Sequence, residues 1–413
     1  MDFYEKAIKE YMNTGFAGSV IPTSIGQNYV VTQLPNRRQI RKRNTYNVIA
    51  QNRDLMQVQP STTVSTSLLN AGQIEYRVES GVCDCLDYVI LKLNCTNNTG
   101  ANLVLAPAQM LIQRVEVWAQ NGSKLLNTQY GHELYLGNAF LARNEFENMA
   151  GGLGLNASTY ANLATTIADG ASTTLYIPIF QPFYSTKLHP SGLNGNLIIR
   201  VFFQTTALTH VSGALITTNS CVLQLRSRDQ PSALTTEQSK FYSGSIPMML
   251  SFMNIQRMSQ SLTLAPSSTY DITLSGINGI CPVLFWTIRN TALTASNQNT
   301  YFAPQDFDIQ DSSGQSLIGF NRRNQTEQLW DYAECFDNLF KKNVSFSVAV
   351  FSQSPVLDYC SGSVNGYELF TTYERLSFTT PASLAGGSYQ IDIIAFVCDN
   401  LLIQDGMVTS MKP

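Results

Sequence analysis

Two long stretches of the chain alternate apolar residues with Ser, Thr, Asn or Gln over short segments, one from about Thr62 to Asp229 and one from about Phe241 to Met411. Period-two alternation of this kind predicts half-buried β-strands, and the Gly, Pro and Asn clusters between segments predict turns. The clearest strand is Met110–Trp118, which alternates cleanly from Ile112 onward. Asn121-Gly122 then supplies the residues a tight hairpin turn needs, leading into Lys124-Leu125-Leu126. In Tyr88-Val89-Ile90-Leu91-Lys92-Leu93 the apolar run is nearly continuous, which predicts a strand covered on both faces. Further strands are expected at Gln73–Val78, Thr174–Ile179, Asn196–Phe203 and Cys221–Leu225. In the second stretch they are expected at Met248–Ile255, Ser261–Leu264, Tyr270–Leu274, Pro282–Arg289, Val344–Phe351, Tyr367–Phe378 and Tyr389–Phe396. Tyr130 to Arg143 reads as helical, and Met149 to Ser172 as an extended loop.

Many short strands separated by turn clusters predict an all-β fold of two jelly-roll β-sandwiches side by side. The polar stretch Arg226–Lys240, with Asp229-Gln230-Pro231-Ser232 as a turn signal, is the expected linker. The domains expected are therefore 1–61, an N-terminal helix and arm; 62–236, the first jelly roll; and 237–413, the second. A length of 413 residues exceeds one usual hydrophobic core, in keeping with two.

The N-terminal segment has a different texture. Over Asp2–Met12, Tyr4, Ile8, Tyr11 and Met12 share one helical face, and Thr14-Gly15 supplies a stop. A helix this short is marginal alone and needs a surface to pack on. The arm from Gly15 to Ser61 carries Pro22, Pro35 and Pro60 and a basic run of Arg37, Arg38, Arg41, Lys42 and Arg43. Such a run suits phosphate, on nucleic acid or lipid headgroups, and equally suits carboxylates on a neighbouring subunit or plain solvation. No aromatic residue interleaves it, so base stacking is not indicated.

Charge changes the picture most. Only 13% of residues are charged while 44% are hydrophobic, so uncharged polar residues have replaced ions. Neutral polar surface can be buried against a neighbour without desolvating an unpaired ion. The net charge of −3 gives no global attraction to nucleic acid, and no sequence-specific nucleic-acid contact is expected. No signal peptide and no membrane-spanning window is apparent, so a soluble, unexported chain is expected.

Candidate chemistry is sparse. The eight cysteines are scattered, mostly within apolar runs, and read as reduced core thiols; Cys83-Asp84-Cys85 is neither a redox motif nor a zinc knuckle. His132, His189 and His210 lie far apart, and His132-Glu133 lacks the second histidine of a zinc-protease helix. Asp306-Phe307-Asp308-Ile309-Gln310-Asp311 departs from a calcium loop at its sixth and twelfth positions and reads as a solvated hairpin loop. Trp118 and Trp286 fall in apolar strands and are expected in the core. No nucleophile elbow, phosphate loop or dinucleotide fingerprint occurs. Neither a cofactor nor a metal is expected, nor enzyme activity. A carbohydrate-binding or adhesin-like double sandwich is the alternative the residues leave open.

Several segments resemble the double jelly-roll major capsid proteins of the tectivirus–adenovirus lineage. Met110–Val117 looks like the strand of that family reading leucine–valine–glutamine–arginine–valine before a turn. Thr174–Ile179 followed by Phe183-Tyr184-Ser185 is similar to its strand that ends in proline and an aromatic loop. The helix and arm, and the last strand and tail over Ile393–Met411, fit the same layout. The resemblance implies a pseudo-hexagonal homotrimer tiling an icosahedral virion shell, made in the host cytoplasm. It also implies neighbouring capsomers, penton or minor capsid proteins and an internal lipid membrane as partners. Tyr4, Ile8, Tyr11 and the basic run would then anchor the arm on membrane or neighbour.

Overall fold

In a computed structural model, the residues described are 21–22, 29–30, 52–80, 85–137, 165–179, 193–205, 216–229, 248–277, 279–294, 300–311, 313–318, 322–324, 346–351 and 374–411, with 190, 208 and 327 as isolated positions. The first roll is built from β1 (Asn52–Val58), β2 (Gln73–Val78), β3 (Cys85–Asn97), β4 (Ile112–Ala119), β5 (Lys124–Tyr130), β6 (Ser172–Ile179), β7 (Leu197–Phe203) and β8 (Ile216–Asp229). One sheet runs β6-β3-β8-β1 and the other β2-β7-β4-β5, every pairing antiparallel.

The second roll follows with β9 (Met248–Leu264), β10 (Thr269–Thr273), β11 (Ile280–Asn290), β12 (Asp306–Gln310), β13 (Arg323–Asn324), β14 (Ser347–Val350), β15 (Arg375–Thr379) and β16 (Gly387–Gln404). The eight strands form sheets ordered β14-β11-β16-β9 and β10-β15-β12-β13, the first extended by the short strands Tyr301–Phe302 on β11 and Met407–Met411 on β16. Adding eight to each strand number of the first roll reproduces the second. The duplication inferred from pattern alone is thus a duplication of topology, and two such antiparallel eight-strand sandwiches are a double jelly roll.

Inside each roll the inward residues of the two sheets interdigitate. Tyr76 of β2 is fully buried and its hydroxyl donates to the Cys221 carbonyl of β8 at 3.0 Å, tying the first sandwich together. In the second, Trp286 of β11 packs edge-on to Phe307 of β12 at 5.7 Å and against Phe378 of β15 at 5.1 Å. Burying one such ring contributes a few kcal/mol on transfer alone. Cys95, Cys221 and Cys281 are free and buried. Burial pushes the Cys95 thiol up to about 11 and Cys221 to about 12, so both are inert core groups.

The structure departs from the sequence reading at several elements. Asn52–Val58, assigned to the arm, pairs with Leu223–Asp229 as an edge strand; its polar residues hid the inward positions Met56 and Val58. Strand β8 continues to Asp229, into the expected linker. The expected segments 248–255 and 261–264 form one continuous strand. Asp306–Gln310 is a strand with Phe307 and Ile309 fully buried, and only Asp311–Gly314 turns. Trp118 is not a core residue. It stands half-buried on the outer face of β4, beneath the Arg200 guanidinium at 5.2 Å, its indole N–H on Glu116 at 3.1 Å. The helical reading after Tyr130 holds over Gly131–Gly137, here α1. The N-terminal helix and the basic run lie outside the described residues, as do the expected loop before 165 and the linker beyond Asp229.

Candidate functional site

The outer face of the β14-β11-β16-β9 sheet is covered by the first roll, so this sheet is packed on both sides. Val283, Phe285, Val348 and Ile394 point away from the core of their own roll and join the core of the first. Their neighbours Leu284, Trp286, Ala349, Ile393 and Ala395 point inward. That double burial explains the continuous apolar runs Val283–Trp286 and Ile393–Val397.

Toward one end of this covered face the residues turn polar. Asp392 is the sixth residue of β16, flanked in register by Ser259 of β9 and Thr287 of β11. Arg257 lies two residues from Ser259 and Arg289 two from Thr287, the diagonal offset at which long side chains reach across a sheet. Asp392 is fully buried. Its Oδ1 accepts from Ser259 Oγ at 2.5 Å, Gln390 Nε2 at 2.9 Å and Arg257 Nη2 at 3.0 Å, while Oδ2 is ion-paired with Arg289 Nε at 2.5 Å. Burial alone would raise this carboxyl. His132, the two arginines and the Ser259 hydroxyl outweigh burial and hold it at about 2.

The first roll answers with α1, which leaves β5 at Gly131. A Cβ there would lie 2.0 Å from the Ile112 carbonyl oxygen and 2.5 Å from that of Gln109, so glycine alone lets the chain turn so tightly. The turn brings His132 and Glu133 onto the polar end of the seam. His132 Nε2 stands 3.9 Å from Asp392 Oδ2, and Glu133 Oε1 stands 3.9 Å from Arg257 Nε. Glu133 Oε2 accepts the Tyr130 N–H at 2.9 Å, and the Arg257 guanidinium lies over the Tyr130 ring at 4.4 Å. Burial pushes Glu133 up to about 7, against the pull of the Tyr130 N–H and Arg257. Burial likewise drives His132 down to about 3, so it is neutral near pH 7. Tyr135 of α1 stacks on Tyr301 at 6.1 Å, and Asn127 Nδ2 donates to Asn254 Oδ1 at 2.7 Å.

A second contact comes from the strand Met407–Met411, which folds back on β16 through Asp405-Gly406. Both residues have positive φ, 52° and 72°, as a tight hairpin requires. Asn194 of the first roll donates its N–H to the Gly406 carbonyl at 2.7 Å, and Gln120 Nε2 reaches the Val408 carbonyl at 3.4 Å.

This arrangement orients two rolls. Its charges are enclosed, and a buried ion pair contributes specificity of alignment more readily than stability. Among the described residues no group of three or more His, Cys, Asp or Glu could hold a metal ion. Tyr4, Ile8, Tyr11, Arg37, Arg38, Arg41, Lys42 and Arg43 lie outside the described residues, so the anchor they were expected to form is not seen. Sequence reasoning weighed His132-Glu133 only as a metal site and passed over Asp392. The available signal was a charge at an alternating position of an apolar strand, repeated at Arg257, Arg289 and Asp392.

No protein-family model and no curated protein matches the chain. Solved structures do. The chain superposes on PBCV-1 VP54, fitted into a reconstruction of the virophage Sputnik, with a TM-score of 0.68 and 14% identity, over 88% of this chain and 97% of that one. On the Faustovirus major capsid protein the TM-score is 0.63 at 10% identity, over 98% of each chain. On the mavirus major capsid protein it is 0.53 at 11% identity, over 95% of this chain and 96% of that one. At these identities the likeness is one of fold, and it runs the length of the molecule: the chain has the double jelly-roll fold found in these viral major capsid proteins.

Proposed function

We propose that this chain is a major capsid protein, a homotrimer whose six jelly rolls form a pseudo-hexagonal tile of an icosahedral virion shell. The observation that carries the reading is the pair of rolls whose eight principal strands share one order, locked side by side through one sheet face, in a fold shared end to end with capsid proteins. A rigid pair of like modules is the unit from which a near-sixfold ring is built by threes. The scarcity of charge supports repeated self-contact, since neutral polar surface is covered at low desolvation cost. The role is structural and non-catalytic, with neighbouring capsomers and penton or minor capsid proteins as partners.

In this reading residues 1–51 act as an anchor on the inner side of the shell. Tyr4, Ile8 and Tyr11 would meet an internal membrane or a neighbour, and Arg37, Arg38, Arg41, Lys42 and Arg43 would meet anionic headgroups or carboxylates. Each basic residue near an anionic surface adds about 1 kcal/mol, weakening with salt. Electron microscopy and sedimentation of the purified protein test the main reading. Hexagonal tiles and a trimeric mass are expected; a stable monomer of 45.7 kDa at micromolar concentration overturns it.

A further inference from the structure

Resting on that reading for its consequence in assembly, we infer that the end of β16 and the strand Met407–Met411 form a clasp that fastens the second roll to the first, and that the chain assembles only with this clasp closed. The clasp is an addition to the plan the two rolls share. The pairing of β16 with β11 stops at Cys398; over Asn400–Gln404 the closing strand takes that flank, while β9 keeps the other. Among the described residues the first roll has no such strand. There β8, the counterpart of β16, is flanked by β3 as far as Arg228 and by β1 as far as Asp229. A strand present in one roll and absent from its duplicate serves something that roll alone must do.

What it serves is the contact with the first roll. Val408 is 2% exposed and belongs to the hydrophobic core of the first roll, whereas Met407 beside it is 46% exposed. The Gly406 carbonyl accepts the Asn194 N–H at 2.7 Å, and the Val408 carbonyl accepts from Gln120 Nε2 at 3.4 Å. Gly406 is required on two counts: its φ of 72° favours glycine, and a Cβ there would lie 3.0 Å from both N and Cβ of Asn194. The receiving turn is fitted as closely. At Gly195 φ is 92° and a Cβ would lie 2.8 Å from Asn121 Nδ2, while Asn121 Oδ1 accepts the Asn196 N–H at 3.0 Å. The hairpin at Asn121-Gly122, the turn at Asn194–Asn196 and the clasp therefore nest together.

The same geometry makes the clasp the part that closes last and opens first. A two-stranded tip is marginal without a surface beneath it, and this one gains that surface through Gly406 and Val408. Translation also delivers it after every other described strand. The core of the first roll already draws Val283, Phe285, Val348 and Ile394 from the second, and it is sealed only when Val408 docks. Ring closure depends on a fixed angle between units, and an open clasp loosens that angle.

The test follows amide hydrogen exchange and sedimentation of the full chain and of Val408→Asp and Met407→Asp, with circular dichroism reporting the fold. In V408D we expect the Asn194 amide to exchange about a hundredfold faster and trimers to form about tenfold more weakly, while M407D matches the parent in both. The parent chain gives an answer that no misfolded variant can obscure. Its Asn194 amide and the amides of Met407–Met411 bonded to β16 should show equal protection, about tenfold below that of the Leu223 amide in the middle of β8. Asn194 as protected as Leu223, or protected unlike the closing strand, overturns the clasp. So does a folded V408D that keeps the parent's protection at Asn194. A V408D with an open clasp and undiminished trimers overturns the link to assembly. A monomeric parent chain instead overturns the assembly reading, and the exchange measurements still decide the clasp.

Discussion

Asp392 lies on the outer face of β16, between the inward-pointing Ile391 and Ile393, where strand alternation allows a polar side chain and only the cover of the first roll buries it. Its burial is tolerable because Arg257, Arg289, Ser259 and Gln390 converge on it. Replacing it by alanine leaves two largely buried arginines without their carboxylate. Asp392→Ala should lower the unfolding free energy by about 3–5 kcal/mol in denaturant titration. A hydrophobic replacement of Asp392, Arg257 and Arg289 together should restore much of that loss.

Glu133 and His132 give the seam a pH signature. Folded Glu133 has its pKa raised to about 7 from 4.5, so the native state holds a proton that the unfolded state releases. Its contribution therefore falls as pH rises from about 4.5 to 7, by an amount on the order of 3 kcal/mol. Folded His132 is lowered to about 3 from 6.5, so the unfolded state gains a proton first as pH falls. That erodes stability from about pH 6.5 down to 3 and opposes the Glu133 slope over their shared window. Arg257, Arg289 and Asp392 face both groups, and Asp392, held at about 2, is ionised across that window. Glu133→Gln should raise the melting temperature at pH 8 more than at pH 5. Equal shifts at the two pH values would contradict the assignment.

At the scale of elements, the hairpin at Asn121-Gly122 and the alternating strand before it were plain in the sequence. The left-handed turn and the period-two pattern are local properties, and Asn121 and Gly122 do have φ of 56° and 90°. Trp118 was misplaced because alternation states that a residue lies on one face and leaves open which face is solvated. Strand β1 was missed because an edge strand buries only one side, and Asn52-Arg53-Asp54 shows no apolar run. The short helix α1 was expected, while the reason it must begin at Gly131 lies in backbone oxygens from residues 109 and 112. Gly131→Ala should therefore destabilise the fold by about 3 kcal/mol and loosen α1 from the seam. Hydrogen exchange of the amides of Leu134 and Tyr135 would report it.

For the whole molecule, the boundary of the first roll has a direct consequence. Met56 and Val58 of β1 pack on the core of the first roll. Removing residues 1–51 should leave the melting temperature of the two rolls within a few degrees of the full chain. Removing residues 1–61 should lower it clearly, because β8 loses its β1 partner over Leu223–Asp229. A truncation at 61 that melts like the full chain would show that β1 contributes little.

The chain by itself determined the all-β class, the division into two strand-rich halves, the main hairpin and the scarcity of catalytic groups. Each of those is written in local periodicity, turn chemistry or composition, which need no partner from afar. Only the tertiary structure decided that both rolls share one strand order, that the outer face of one sheet is interior to the molecule, and that His132, Glu133, Arg257, Arg289 and Asp392 meet. These residues span more than 250 positions of sequence. Side chains on four separate elements become neighbours only when strand register and roll packing are both set, and no local pattern encodes a register between distant strands.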